Sequence, residues 1–194
     1  MAARPLSVLV VLEKPSALEL ICVAFPPGLC CFPFRHSLRG VLGSPTTVAV
    51  VCTNGYLCEN AVPTVRNPFD YFDAGLERVP QQARLGEVRR LRQAVKNADV
   101  VIVCPDCDRA GFIIAADVKR VSEDANPRAV FLRAFCSGVS VKEVQLAFTR
   151  LVDLDETLAI PALASHEIHL RAGAAFSALN TAGLSPLWGG FRVV

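Results

Sequence analysis

Four segments of the chain read as strands, three of them apolar runs rather than alternating ones and the fourth, Ala129 to Phe135, a candidate that includes Arg133. Ser7 to Leu12 (SVLVVL), Thr46 to Thr53 (TTVAVVCT), Asp99 to Cys104 (DVVIVC) and Ala129 to Phe135 are rich in Val and Leu and break off at polar or turn-forming residues. Such runs predict strands covered on both faces, as in a parallel sheet. Between them the pattern changes period. Ala17 to Ala24 reads as a short helix after the turn at Lys14, Pro15 and Ser16. Leu85, Val88, Leu91 and Val95 recur at helical spacing, with Arg84, Arg89, Arg90, Arg92 and Lys96 in the intervening positions. Asp108 to Val121 reads as a helix with Ile114, Val118 and Val121 on one face, and Ser140 followed by Glu143 is a capping box that starts another helix. Asn54-Gly55 is a turn. Pro63 to Asp73 reads as a polar loop, and Phe25 to Pro45, with four prolines and three glycines, as an irregular connection.

Strands alternating with helices imply an α/β fold with a doubly wound, mostly parallel sheet and flanking helices. After Asp153 the strand signal ends, and Ala159 to Asn180 is alanine-rich and helical. The expected organisation is therefore one domain over residues 1–152 and the start of a helical segment over 153–194. At 194 residues the chain is long enough for one full domain without disulfide or metal staples.

Composition narrows the class. Hydrophobic residues make up 52% and charged residues 20%, which excludes disorder from low hydrophobicity. The net charge of +2 is too small to argue for a nucleic-acid or membrane partner, so such a claim must come from motifs. The apolar start of the chain is stopped by Glu13 and Lys14, and the stretch from Leu18 to Phe34 is broken by Pro26, Pro27, Gly28 and Pro33. Neither a secretory leader nor a membrane span is expected. The eight cysteines then read as reduced thiols in a reducing compartment rather than as a disulfide framework.

The sharpest local feature is Asp106-Cys107-Asp108-Arg109, directly after one apolar strand and opening a helix. In a parallel sheet the C-terminal strand tips face the ligand crevice, and Glu13 ends another strand at the same expected edge. Carboxylates brought together there suit Mg²⁺ held with a phosphate. The alternative is that Asp108 simply favours a helix N-terminus.

The order of motifs is specific. Glu13-Lys14-Pro15 after the first strand and Asp106-Cys107-Asp108-Arg109 after a later one resemble the Toprim domain of type IA topoisomerases, and the second wording is similar to the eukaryotic topoisomerase III branch. Tyr71-Phe72-Asp73-Ala74, Leu132-Arg133-Ala134 with Ser137-Gly138-Val139-Ser140, and Gly173-Ala174-Ala175-Phe176 resemble that branch in the same order. The resemblance implies a Toprim-like fold and Mg²⁺-assisted cleavage and rejoining of single-stranded DNA. It implies Glu13, Lys14 and Arg109 as catalytic groups and Asp106 and Asp108 as metal ligands. It also implies, as partners, single-stranded DNA and the remainder of a topoisomerase or a helicase and repair complex, and a nuclear setting.

The departures from the family pattern lie at polar positions. Ala110 and Phe112 stand where Asp-x-Asp-x-Glu-Gly-Glu has its two glutamates, so a weakened Mg²⁺ site is expected. Thr53-Asn54-Gly55-Tyr56 lacks the histidine of Ser-Gly-His, Gly138 stands for a glutamate, and Ser165 and His169 stand where Arg and Asp are usual. Tyr56 and Tyr71 sit outside the context of the family's nucleophilic tyrosine. Cleavage by this chain alone is not expected, and a non-catalytic module that binds DNA or a partner is the alternative.

Three further readings come from the residues. Cys104-Pro105-Asp106-Cys107 is a Cys-x-x-Cys between strand and helix, as in thiol oxidoreductases, where a helix N-terminus lowers the first thiol's pKa. Arg84, Arg92 and Lys96 share a helix face that suits a phosphate backbone, or else a solvated helix surface. Cys52 with Cys58, and His166 with His169, have no matching second pair for zinc.

Overall fold

A computed structural model describes residues 6–24, 46–136, 138 and 140–188. The expected connection from Phe25 to Pro45 lies outside them. The chain divides into two compact units, residues 1–57 with 80–159, and residues 58–79 with 160–194.

The first unit is built on a five-stranded sheet. The strands β1 (Leu6–Leu12), β2 (Thr46–Cys52), β5 (Val100–Cys104), β6 (Val130–Arg133) and β7 (Val152–Asp153) lie in the order β2-β1-β5-β6-β7. All pairs are parallel except β6 with β7. The apolar runs fit this arrangement, since β1 and β5 are the central strands and Val8, Val10, Val101, Ile102 and Val103 are all buried. On the faces lie α1 (Pro15–Ala24), α2 (Leu85–Val95), α3 (Arg109–Ser122) and α4 (Val141–Thr149). The expected faces are the buried ones: Val88, Leu91 and Val95 on α2, and Ile114, Val118 and Val121 on α3. Helix α4 begins as expected, with Ser140 and Glu143 each bonding the other's backbone N–H. Two-residue β7 was not legible because a strand of that length carries no pattern.

The second unit pairs β3 (Cys58–Ala61) with β4 (Glu77–Pro80) and adds the long helix α5 (Ile160–Trp188). Residues expected to form a plain loop contain a 3₁₀ turn, Pro68–Phe72, started by the Asn67 side chain accepting from the Phe69 N–H. A proline in the first turn and an Asx cap explain the turn. Arg171 of α5 donates to the carbonyls of Tyr71, Phe72 and Ala74, fixing the Tyr71-Phe72-Asp73-Ala74 motif within this unit.

Candidate functional site

The chain runs from β1 to β2 on one side and returns to β5 on the other. The strand order therefore reverses between β1 and β5, which is where open α/β sheets place ligands, outside the carboxyl ends of the strands. Leu12 lies opposite Cys104 in the ladder, so the residues just beyond them meet at that switch point.

Those residues are Glu13, Lys14 and Asp106. The Lys14 ammonium lies 2.6 Å from an Asp106 carboxylate oxygen and 3.4 Å from Glu13 Oε1. The Asp106 backbone N–H donates to Glu13 Oε2 at 3.4 Å. Lys14 and Asp106 are about half exposed, whereas the Glu13 side chain is 12% exposed. The hydrogen bond to Asp106, followed by the charge of Glu13, raises the Lys14 pKa above its usual value, so the ammonium is fully charged at neutral pH.

Both sides of this triad are fixed from behind. The Glu13 carbonyl accepts from the Asn54 N–H at 2.8 Å, and Leu12 accepts from the Thr53 N–H at 3.0 Å. Asn54 holds φ +54° and Gly55 φ +105°, the left-handed conformations this turn requires. Arg84 donates to the Asn54 carbonyl at 2.9 Å and braces the same turn. Behind Asp106, an isolated parallel bridge joins it to Cys136. Gly111 backs directly onto the Asp106 carbonyl, so closely that a β-carbon would collide with it. Beside the triad an open cavity of about 540 Å³ includes Lys14, Ser16, Leu20, Cys104, Asp106 and Cys136 in its wall.

Asp108 is placed differently from Asp106. Its extended backbone sets it as the N-cap of α3, with its carboxylate accepting from the Gly111 N–H at 2.7 Å. Asp108 therefore completes a helix, the structural alternative weighed for it. Ala110 and Phe112 contribute no oxygen ligand. Among the described residues no three His, Cys, Asp or Glu side chains converge as a metal cluster. Glu13 and Asp106 are the carboxylates that meet and would hold a Mg²⁺ ion, and the short bond from the Lys14 ammonium to Asp106 competes with such an ion for that carboxylate. Arg109 opens α3 and is exposed.

The other sequence candidates are resolved as follows. Arg92 makes a two-pronged ion pair with Asp124, at 2.8 and 2.9 Å, and donates to the Val121 carbonyl. Its charge is met inside the protein, where it ties α2 to the end of α3. Lys96 is exposed at the end of α2. In the Cys-x-x-Cys pair, Cys104 is the last residue of a central strand, and burial pushes its thiol up to about 12, while burial raises Cys107 as well. Neither thiol gains the lowered pKa that redox catalysis needs.

One residue of the site was visible in the sequence only as part of a motif. Arg133 ends β6 and is 2% exposed. It donates to the Asp106 carbonyl at 3.3 Å and the Val103 carbonyl at 3.5 Å. Its guanidinium lies 5.1 Å from the Phe135 ring and 6.0 Å from the Phe112 ring. Phe112, the apolar stand-in for an acid, therefore faces a buried cation. An arginine closing an otherwise apolar strand was the available signal.

Comparison with known proteins matches this arrangement. The Toprim domain family matches residues 8–136. The chain is 32% identical over 115 residues to a DNA topoisomerase 3 of Dictyostelium discoideum, covering 59% of this chain and 14% of that protein. It is 32% identical over 143 residues to a DNA topoisomerase 1 of Archaeoglobus fulgidus, covering 70% and 21%. A solved structure of full-length topoisomerase I from Thermotoga maritima has the same fold, with a TM-score of 0.61 and 16% identity over 89% of this chain and 26% of that one. The chain thus spans about a fifth or less of the length of these two curated relatives. With the ordered motifs, the switch-point site and these matches together, the chain belongs to the Toprim domain family, in its type IA, topoisomerase III-like branch.

Proposed function

We propose that this chain is a DNA-binding Toprim module that contacts the phosphate backbone of single-stranded DNA through Lys14, with Mg²⁺-assisted cleavage weakened or lost. The observation that carries the reading is the Lys14 ammonium lying between Glu13 and Asp106, where it offsets one of the two carboxylate charges and keeps one of its three N–H donors for a phosphate. An ammonium at the carboxyl edge of a parallel sheet is suited to a phosphate, as a compact, fully charged donor. Arg109, exposed at the adjoining start of α3, adds a second cation, and Lys96 a more distant one. The partners in this reading are single-stranded DNA and the remainder of a topoisomerase, or a helicase and repair complex, in the nucleus.

A second reading rests on the meeting of Glu13 with Asp106. If a DNA phosphate drew the ammonium away, these two carboxylates would be the residues to hold Mg²⁺ beside it, and such an ion would supply charge neutralisation at the phosphate.

Fluorescence anisotropy with a labelled single-stranded oligonucleotide separates the two. The first reading expects binding that persists in EDTA and weakens when Lys14 becomes methionine. Binding that requires Mg²⁺, or a covalent adduct between the native protein and single-stranded DNA trapped in Mg²⁺, overturns it in favour of the second.

A further inference from the structure

We propose that Arg133 is the positioning residue of the Glu13–Lys14–Asp106 site, setting the place of the Asp106 carboxylate through the Asp106 main-chain carbonyl. The inference deepens the DNA-binding reading and rests on it only in part.

A guanidinium this deeply buried carries a large desolvation cost, and such a cation is ordinarily matched by a carboxylate. Among the described residues the hydrogen bonds of Arg133 go instead to two main-chain carbonyls, Val103 and Asp106, and its buried Nε has no hydrogen-bond partner. Further stabilisation comes from the Phe135 and Phe112 rings, whose centroids lie 6.2 Å apart at an interplanar angle of 54°, and from the nearby charges of Asp106 and Asp108. A strand end whose only role was packing would be served by an apolar side chain of similar volume.

What the guanidinium achieves is local. Asp106 lies past the end of β5, two residues beyond Cys104, where the regular ladder no longer sets its direction. Four restraints act on its main chain: the bridge to Cys136, the close approach of Gly111, the donation of its own N–H to Glu13, and the donation from Arg133. Of these, Arg133 alone reaches it from the core with a charged side chain. With the carbonyl held inward, the Asp106 side chain is left on the side where Lys14 meets it at 2.6 Å.

The test uses Arg133→Lys, which keeps the charge but loses the fork, and Phe135→Leu, which keeps the arginine and removes one ring from its face. Nuclear magnetic resonance of the intact chain is the first readout. The expected result is that both variants shift the Lys14 ammonium and Asp106 amide resonances while the amides of Val8 and Val10 stay in place. Unmoved Lys14 and Asp106 resonances, or shifts spread evenly through the sheet, overturn the proposal. Oligonucleotide affinity is the second readout. Arg133→Lys is expected to weaken binding about two- to tenfold, the size of one hydrogen bond, and to have no further effect in a Lys14→Met background. Equal losses in both backgrounds indicate a role in packing alone and overturn it. If Lys14→Met by itself leaves DNA affinity unchanged, the DNA-binding reading falls, and the resonance shifts still decide the role of Arg133.

Discussion

The ammonium of Lys14 lies 2.6 Å from a carboxylate oxygen of Asp106, although 92 residues separate them in sequence. The pair exists because β1 and β5 are neighbours and end at the same height, so the first residues past each strand face one another. Lys14→Met leaves Glu13 and Asp106 adjacent and uncompensated. Isothermal titration calorimetry is expected to show Mg²⁺ binding more tightly to this variant than to the native chain, with little change in Tm because the pair is largely exposed. Weaker Mg²⁺ binding on loss of Lys14 would show that the lysine does not occupy the cation's place.

Gly111 is required by the approach of α3 to the Asp106 carbonyl. Gly111→Ala forces either the helix or the loop to move, and overpacking of this kind costs about 1–3 kcal/mol. Denaturant unfolding should report that loss, accompanied by a change in oligonucleotide affinity as Asp106 leaves Lys14. A variant with native stability and affinity would show that the loop yields freely.

The Arg92 guanidinium holds the Asp124 carboxyl below its usual value of 3.8. A depressed carboxyl stabilises the fold above its unfolded pKa and loses that contribution as pH falls through the folded one. Arg92→Ala is therefore expected to lower Tm at neutral pH and to flatten the loss of stability on acidification below about pH 4. Its DNA affinity and salt dependence should match the native chain, since both terminal nitrogens of this guanidinium are engaged by Asp124 and the Val121 carbonyl. A reduced salt slope would instead make Arg92 a phosphate contact.

With the Cys104 thiol pushed up to about 12, only about one thiol in ten thousand is ionised at pH 8. Native alkylation followed by mass spectrometry should leave Cys104 unmodified while the exposed Cys22 reacts. Insulin reduction should be absent. Rapid labelling of Cys104 in the folded protein would reopen the thiol reading.

Much of this architecture can be read from residues alone, because buried parallel strands and amphipathic helices write their periods into the sequence. The runs at Ser7, Thr46 and Asp99 correspond to the observed β1, β2 and β5, and the Ser140–Glu143 capping box locates α4 to the residue. Short elements behave otherwise. The ribbon of β3 and β4, four residues each, has no alternation long enough to register, and the 3₁₀ turn at Pro68 hides within a polar stretch. At the site, the meeting of Glu13 with Asp106 follows from strand order. The division of labour between Asp106 and Asp108 does not, since spacing cannot say which aspartate turns to the crevice and which turns back to its own helix. Arg133 was equally hidden, because its partners are main-chain oxygens that any sequence supplies.

Asp108 shows how one residue of a motif can serve the fold. Its carboxylate closes the first turn of α3, a helix with nine buried residues. Every molecule that folds needs that turn closed, whether or not it ever meets a metal or a phosphate. Ala110 and Phe112 lie in the same first turn without that role, so substitution there leaves the cap in place, whereas substitution at 108 is answered by the folding of the domain itself. An aspartate at this position is thus a record of how the helix starts, whereas Asp106 makes no such cap and meets the Lys14 ammonium instead.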